Sequence, residues 1–190
     1  MNEINKLINI WIKFKFQVFE FEILYPEDSD IETLRSNTVP DFFWNINELY
    51  WNTFLITIAR LLDKHEKGQN KNLTLYSLPA ILEGKEIPDH TLIKGRIDNL
   101  NEKFKTVILY RKKYLAHFDR EYTIGKKSFN AVTNLEEVHY FLNEMLSLID
   151  DTQGLLSIEK FSGVVMCPAK YLGARELVRI LQKDLINRKL

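Results

Sequence analysis

The chain has 190 residues, of which 45% are hydrophobic and 12% aromatic, so it is long enough to bury a sizeable core and too apolar for low-complexity disorder. Its 26 basic and 26 acidic residues cancel, which excludes a strongly basic surface overall and leaves only a local patch for nucleic acid. Cys167 is the single cysteine, which excludes an internal disulfide and a cysteine-based zinc site and favours a cytoplasmic location.

The first predicted helix covers residues 2–24 and ends at Tyr25-Pro26, because the residue before a proline disfavours helical geometry. Six polar or charged side chains lie between Asn9 and Glu22, too many for a membrane span, so no membrane partner is expected. An acidic, polar link is predicted to follow.

A second helix is predicted to begin after Pro40, with Asp41 as its cap, and to run to about Lys64. Its apolar residues go round the whole cylinder, which is typical of a helix at the centre of a bundle. The tryptophans of the first two helices are assigned to the core: Trp11, Trp44 and Trp51.

A polar loop over residues 65–72 and a short helical piece over 75–82 are predicted next. A third long helix then runs from Pro88-Asp89 to about His117, as its apolar residues recur every three or four positions.

A loop around Gly125 leads to a fourth helix, predicted from Leu135 to about Ser157 with Asn134 as its cap. The tail over residues 169–190 is amphipathic. These elements predict an all-α fold, a bundle of about five helices that forms a single domain over residues 1–190.

Arg111 interrupts the apolar stripe of the third helix at its centre, where an arginine either extends its head to water or meets a partner at a packed surface. His117 lies six residues later, about 120° round the helix and about 9 Å along it, and Tyr114 bisects the angle between the two. One monomer does not easily bring both side chains to one atom. Two copies packed along the Tyr114 face would line one shared cleft with them.

Arginine and histidine are residue types that suit RNA cleavage without a metal. Histidine titrates near neutrality and serves as base or acid, while arginine offers charged, forked donors to a phosphate. The expected products are a 2′,3′-cyclic phosphate and a 5′-hydroxyl.

Residues 103–127 hold eight basic side chains, including Lys112, Lys113 and Arg120, against only Asp119 and Glu121. Such a basic segment with tyrosines nearby suits a single-stranded nucleic acid. The alternative is a solvated charged face, which is what a run of charges usually forms.

The chain resembles the HEPN superfamily, and most of all its abortive-infection branch, whose mark is an arginine, four to six intervening residues and a histidine near the end of a long helix. Arg111 and His117 match this pattern, residues 113–119 resemble the continuation found in that branch, and Ala59-Arg60-Leu61-Leu62-Asp63 gives a second similarity. The resemblance implies a homodimer whose paired motifs form a ribonuclease site, in phage defence or a toxin–antitoxin system with a possible antitoxin protein.

Two positions depart from the family pattern. Lys112 follows the arginine where the family often has a small polar residue. Asp119 stands where toxin members carry a tyrosine that is modified, so silencing by nucleotide transfer to that position is not expected.

The sequence therefore predicts a metal-independent endoribonuclease that acts on single-stranded RNA as a homodimer, with Arg111 and His117 as catalytic residues. Further residues are predicted to support the site or bind RNA: Lys112, Lys113, Tyr114, Asp119, Arg120 and Asp63. For Asp63 the first interpretation is an intrahelical ion pair with Arg60, and support of Arg111 is the alternative. No cofactor and no metal are implied. The alternative function is a non-catalytic HEPN-like helical module that binds RNA or a partner protein through the same basic face.

Overall fold

The computed structural model describes residues 3–67, 70–115, 133–161, 163 and 173–188. Eight α-helices lie in these ranges: α1 (Glu3–Leu24), α2 (Ser29–Thr38), α3 (Pro40–Leu61), α4 (Ser77–Glu83), α5 (His90–Lys103), α6 (Lys105–Tyr110), α7 (Leu135–Leu155) and α8 (Gly173–Arg188). A π-helix, Arg111–Leu115, continues directly from α6. Strands β1 (Glu66–Lys67) and β2 (Asn70–Lys71) form a small antiparallel hairpin. The all-α class is confirmed, with more helices than the predicted five.

Helix α2 corrects the prediction of an irregular acidic link before Pro40. The Asp28 carboxylate caps this helix by accepting from the backbone N–H groups of Asp30 at 2.8 Å and Ile31 at 3.3 Å. Ile31 and Leu34, three residues apart, are its buried residues. A local cap and one apolar pair are therefore enough for a helix in a segment that is polar overall.

Helix α3 begins at Pro40 itself, so Asp41 lies in its first turn and is not the cap. A proline fits the first helical position because the N–H that it lacks would have no partner there. The helix ends at Leu61, three residues before the predicted end.

The prediction that α3 is buried on every side is wrong for its first half. Trp44 is 74% exposed, and Phe42 and Leu49 are exposed as well. Phe43 is buried, since it belongs to a small apolar cluster with Leu24. Of the three tryptophans assigned to the core, Trp11 is buried, Trp51 is partly buried and Trp44 is on the surface.

The predicted third helix is interrupted within the described residues. Phe104 separates α5 from α6 with φ −96° and ψ 17°, and its buried ring meets that of Phe141 edge-on at 5.4 Å. Beyond Tyr110 the α-helix gives way to the π-helix. A single regular helix up to His117 is therefore wrong for the part that is described, and residues 116–132 lie outside it.

Helix α7 starts where the sequence predicts. The Asn134 side chain accepts from the Glu137 N–H at 2.9 Å, which confirms the predicted cap. The helix ends at Leu155, close to the predicted boundary. Helix α8 confirms the helical tail.

The chain divides into two compact units, of which the first comprises Met1–Trp11 and Thr53–Gly163. The indole N–H of Trp11 donates to the Leu142 carbonyl at 2.9 Å, and its ring packs against Phe161. Helix α4 packs against α5 and α7. This unit contains the candidate site.

The second unit comprises Ile12–Asn52 and Val164–Leu190. In its described part, α2 packs against α8, and Phe21 stacks on Tyr25 at 4.8 Å. No helix among the described residues is long and apolar enough to cross a bilayer. The expectation of a single domain stays a prediction.

Candidate active site

Arg111 and Asp63 form an ion pair between the start of the π-helix and the turn after α3. A guanidinium nitrogen of Arg111 donates to Asp63 Oδ2 at 3.0 Å, and the side chains are 29% and 33% exposed respectively. The predicted pair of Asp63 with Arg60 is wrong: between these two described residues the structure has a backbone contact, in which the Asp63 N–H donates to the Arg60 carbonyl. The Asp63 carboxylate instead reaches a residue 48 positions away.

The turn that carries Asp63 is held by two hydrogen bonds from other elements. The last carbonyl groups of a helix have no partners within it. Here the N–H of Leu75 donates to the Leu61 carbonyl at 2.8 Å, and the side-chain amide of Asn101 donates to the Leu62 carbonyl at 2.9 Å. Asp63 therefore follows a fixed helix end.

Tyr76, the residue just before α4, also helps to hold the turn after α3, because it bonds the same Asn101 side chain. Its hydroxyl donates to Asp98 at 2.8 Å and accepts from the Asn101 amide at 3.3 Å. Burial, together with the hydrogen bond to Asp98, raises the pKa of Tyr76 to about 12. The phenol therefore stays neutral and keeps its proton for this bond throughout the physiological range.

The hairpin beside Asp63 is fastened at its base. The N–H of Asn72 donates to the His65 carbonyl at 2.7 Å, and the Asn72 side chain donates to the Lys64 carbonyl at 3.3 Å. His65 Nδ1 lies 2.9 Å from the Asn72 carbonyl, to which it donates because a carbonyl oxygen only accepts. The backbone of Lys64, just before the hairpin, is therefore held in place by hydrogen bonds.

A cleft of about 1080 Å³ opens at the ion pair. Two acidic side chains, Asp63 and Glu66, line it together with a few polar and apolar ones. Its basic lining residues are Arg60, Lys64, Arg111, Lys112 and Lys113. This lining has an excess of positive charge, although the whole chain is neutral, which is the electrostatic environment that attracts a phosphate chain.

The predicted site residues are partly covered by the structure. Arg111, Asp63, Lys112 and Lys113 all line this cleft, and both lysines are exposed. Tyr114 belongs to the π-helix, but its side chain is outside the described part. Three further predicted residues also lie outside the described ranges: His117, Asp119 and Arg120.

Sequence reasoning missed Arg60 and Lys64 as residues of the cleft. The segment Ala59–Asp63 resembles the abortive-infection branch, but its spacing predicts a pair of Arg60 with Asp63, and Lys64 is the predicted end of the helix. Both are exposed and line the cleft. The signal that could have identified them is the basic pair flanking Asp63.

The described residues contain no group of three or more histidine, cysteine, aspartate or glutamate side chains placed to hold a metal ion. They do contain hydrogen-bond donors that can bind an anion. Within the described contacts, one N–H of the Arg111 guanidinium is taken by Asp63, and an arginine has five.

The family of the chain follows from a comparison with family models. The model of the AbiU2 proteins, a HEPN-type abortive-infection family, matches residues 1–162. The chain belongs to the AbiU2 family. The matched range includes both Asp63 and the Arg111–His117 pair, so the candidate site lies wholly in the AbiU2 region. No curated protein and no solved structure gave a match.

Proposed function

We propose that this AbiU2 protein is a metal-independent endoribonuclease that acts as a homodimer and cleaves single-stranded RNA in phage defence. The observation that carries the proposal is the Arg111–Asp63 pair at the head of a basic cleft. Arg111 stands six residues before His117, which is the family's arrangement for a ribonuclease site. Arg111 and His117 are the proposed catalytic residues.

In the proposed reaction, one His117 imidazole takes the proton of a 2′-hydroxyl, whose oxygen forms a bond to the adjacent phosphorus. The bond from phosphorus to the 5′-oxygen breaks, and this oxygen takes a proton from the second subunit's protonated histidine, which is the same residue of the other copy. Arg111 donors stabilise the negative oxygens of the crowded phosphate. The products are a 2′,3′-cyclic phosphate and a 5′-hydroxyl.

The other predicted residues support this reaction. Asp63 fixes the orientation of the Arg111 guanidinium through the 3.0 Å hydrogen bond, since a planar fork held on one side has few orientations left. Lys112 and Lys113 attract the RNA backbone to the cleft, and Arg120 adds to that charge. Tyr114 and Asp119 belong to the proposed dimer face and the motif's continuation.

The test is cleavage of single-stranded RNA by the purified protein in EDTA. We expect products that end in a 2′,3′-cyclic phosphate, and loss of all product in His117→Ala and Arg111→Ala. The matched control is His139→Ala, because His139 lies on α7 and does not line the cleft. Circular dichroism and the oligomeric state of each variant should match the wild type. Equal cleavage by His117→Ala and the wild type would exclude the proposal.

The second candidate is a module that binds RNA or a partner protein, such as an antitoxin, without cleaving it. The exposed Lys112 and Lys113 favour it, because an accessible basic surface is sufficient for salt-dependent binding. Under this alternative, removing either lysine charge weakens binding and no product forms in EDTA. The presence or absence of product decides between the two functions.

A further inference from the structure

We infer that Arg60 and Lys64 form a second phosphate position in the cleft, which holds a backbone phosphate of the single-stranded RNA beside the one that is cut. This inference rests on the proposed function for the nature of the RNA, and it assigns to the end of α3 a binding role separate from catalysis.

Arg60 is the cation whose expected partner is taken by another residue. It is exposed, lines the cleft, and has no ion pair among the described residues, because Asp63 binds Arg111. An exposed arginine next to a cleft keeps its full charge and its forked donors for a ligand. Its position is fixed by α3, since its carbonyl accepts from the Asp63 N–H at 3.3 Å.

Lys64 adds a second cation four residues further along the chain, beyond the end of α3. It is exposed and lines the same cleft. Its backbone is tied by the Asn72 side chain, which donates to the Lys64 carbonyl at 3.3 Å, and the next residue is tied by the Asn72 N–H. The order of this backbone lowers the entropic cost of binding, so the lysine is placed before the RNA arrives.

Asp63 explains why the two arginines bind separate phosphates. Its carboxylate is bonded to Arg111, and its backbone N–H is bonded to the Arg60 carbonyl, so it contacts both of the residues that carry the guanidinium groups. A phosphate that bound both guanidinium groups at once would have to approach this negative charge closely. A chain that places one phosphate at Arg111 and the next at Arg60 avoids that repulsion. The cleft thus favours an extended strand over a single phosphate ion.

The test measures binding of a fluorescently labelled single-stranded RNA whose nucleotides are all 2′-O-methylated, so that it cannot be cleaved at any position. Affinity is recorded over a series of salt concentrations for the wild type, Arg60→Gln, Arg60→Lys and Lys64→Gln. The matched controls are Arg175→Gln on α8 and Lys94→Gln on α5, both exposed and outside the cleft lining. Arg60→Gln and Lys64→Gln should each bind several-fold more weakly, and the slope of log K against log salt should shrink by about 0.7 in each, the share of one lost phosphate contact. Arg60→Lys keeps the charge and should keep the slope of the wild type.

A second arm locates the phosphate. RNAs that carry one uncharged methylphosphonate are compared at the cut position and at its neighbours. At one neighbouring position the methylphosphonate should weaken RNA binding by the wild type. It should not weaken binding by Arg60→Gln, because this variant has already lost the contact with that phosphate. In cleavage assays Arg60→Gln should raise KM and leave kcat within about twofold, whereas a catalytic residue would lower kcat.

These outcomes separate the two proposals. If the wild type cleaves nothing but Arg60→Gln and Lys64→Gln lose affinity and slope, the phosphate position stands and the nuclease proposal fails. If Arg60→Gln and Lys64→Gln bind like the wild type, the phosphate position is wrong whether or not RNA is cut. Equal weakening by the control variants would also overturn it, since the effect would then be one of overall charge. Should Arg60→Gln fail to fold, Lys64→Gln gives the same decision.

Discussion

The Asp63 carboxylate has two candidate partners, Arg60 and Arg111. It pairs with Arg111, and this ion pair determines how the candidate site is built. The pair is partly buried, so it is less screened than a pair in open water. Removing one partner leaves the other without compensation in a half-desolvated position. The carboxylate therefore matters for local stability as well as for the placement of Arg111.

We predict that Asp63→Asn lowers kcat for RNA cleavage by about a hundredfold, the order of loss that follows a small misplacement of a reacting group, with a smaller change in KM. The neutral amide keeps a hydrogen-bond acceptor but no longer holds the guanidinium by charge. Single-turnover cleavage measures the effect, and Asp30→Asn, in the first turn of α2, is the control. Unchanged kcat in Asp63→Asn would show that Arg111 is oriented by other groups.

At this scale the sequence predicts which side chains matter better than it predicts their partners. The position of Arg111 in an apolar stripe pointed to a packed partner. The spacing of three residues between Arg60 and Asp63 pointed to a local pair, because neighbouring turns of a helix bring such residues together. The structure instead has the alternative stated from the sequence, in which Asp63 supports Arg111 from 48 positions away, and the periodicity of one helix does not decide between the two.

At the scale of elements, the sequence predicts a helix end when a neighbouring side chain caps it. Asn134 was identified as a cap from its residue type and position, and its side chain accepts from Glu137 as expected. Asp28 caps α2 in the same way, but the acidic composition of that segment concealed the helix. The break at Phe104 was not predictable, because it accompanies the packing of that ring on Phe141 in a distant helix.

We predict that Asn134→Ala lowers the free energy of unfolding by about 1 kcal/mol, because the Glu137 N–H loses its acceptor. Asn134→Gly should cost only a few tenths of a kcal/mol, and Asn134→Asp should match the wild type. Urea unfolding followed by circular dichroism measures all three. Equal losses for the alanine and glycine variants would contradict the capping role.

At the scale of the whole molecule, the family and the helical class were within reach of the sequence, and the distribution of apolar surface was not. An apolar pattern on every side of a helix predicts several apolar faces, but it does not predict which of these faces pack against another element. Trp44 shows the difference, since it is 74% exposed on a helix that was placed at the centre of the bundle. The association of two subunits likewise stays a prediction, and it is best tested through function.

We predict that mixed dimers of wild-type and His117→Ala subunits lose most of the RNA cleavage of the wild type. In the proposed reaction the histidine of one subunit is the base and that of the other is the acid, so one substituted subunit disables the shared site. The two forms, carrying different affinity tags, are co-expressed and the doubly tagged dimer is isolated. Wild-type dimers that carry both tags and are taken through the same procedure are the control. A mixed dimer that keeps the activity of its wild-type subunit would argue against a shared site.

The π-helix at Arg111–Leu115 bears on how such sequences should be compared. In a π-helix each hydrogen bond spans one residue more than in an α-helix, so the winding per residue is smaller there. A helical wheel drawn at about 100° per residue therefore misplaces the side chains of this stretch. A one-residue gain or loss can be taken up by such a wide turn, so sequences that differ in length at Arg111–Leu115 should be aligned with a gap there before the motif is counted as absent.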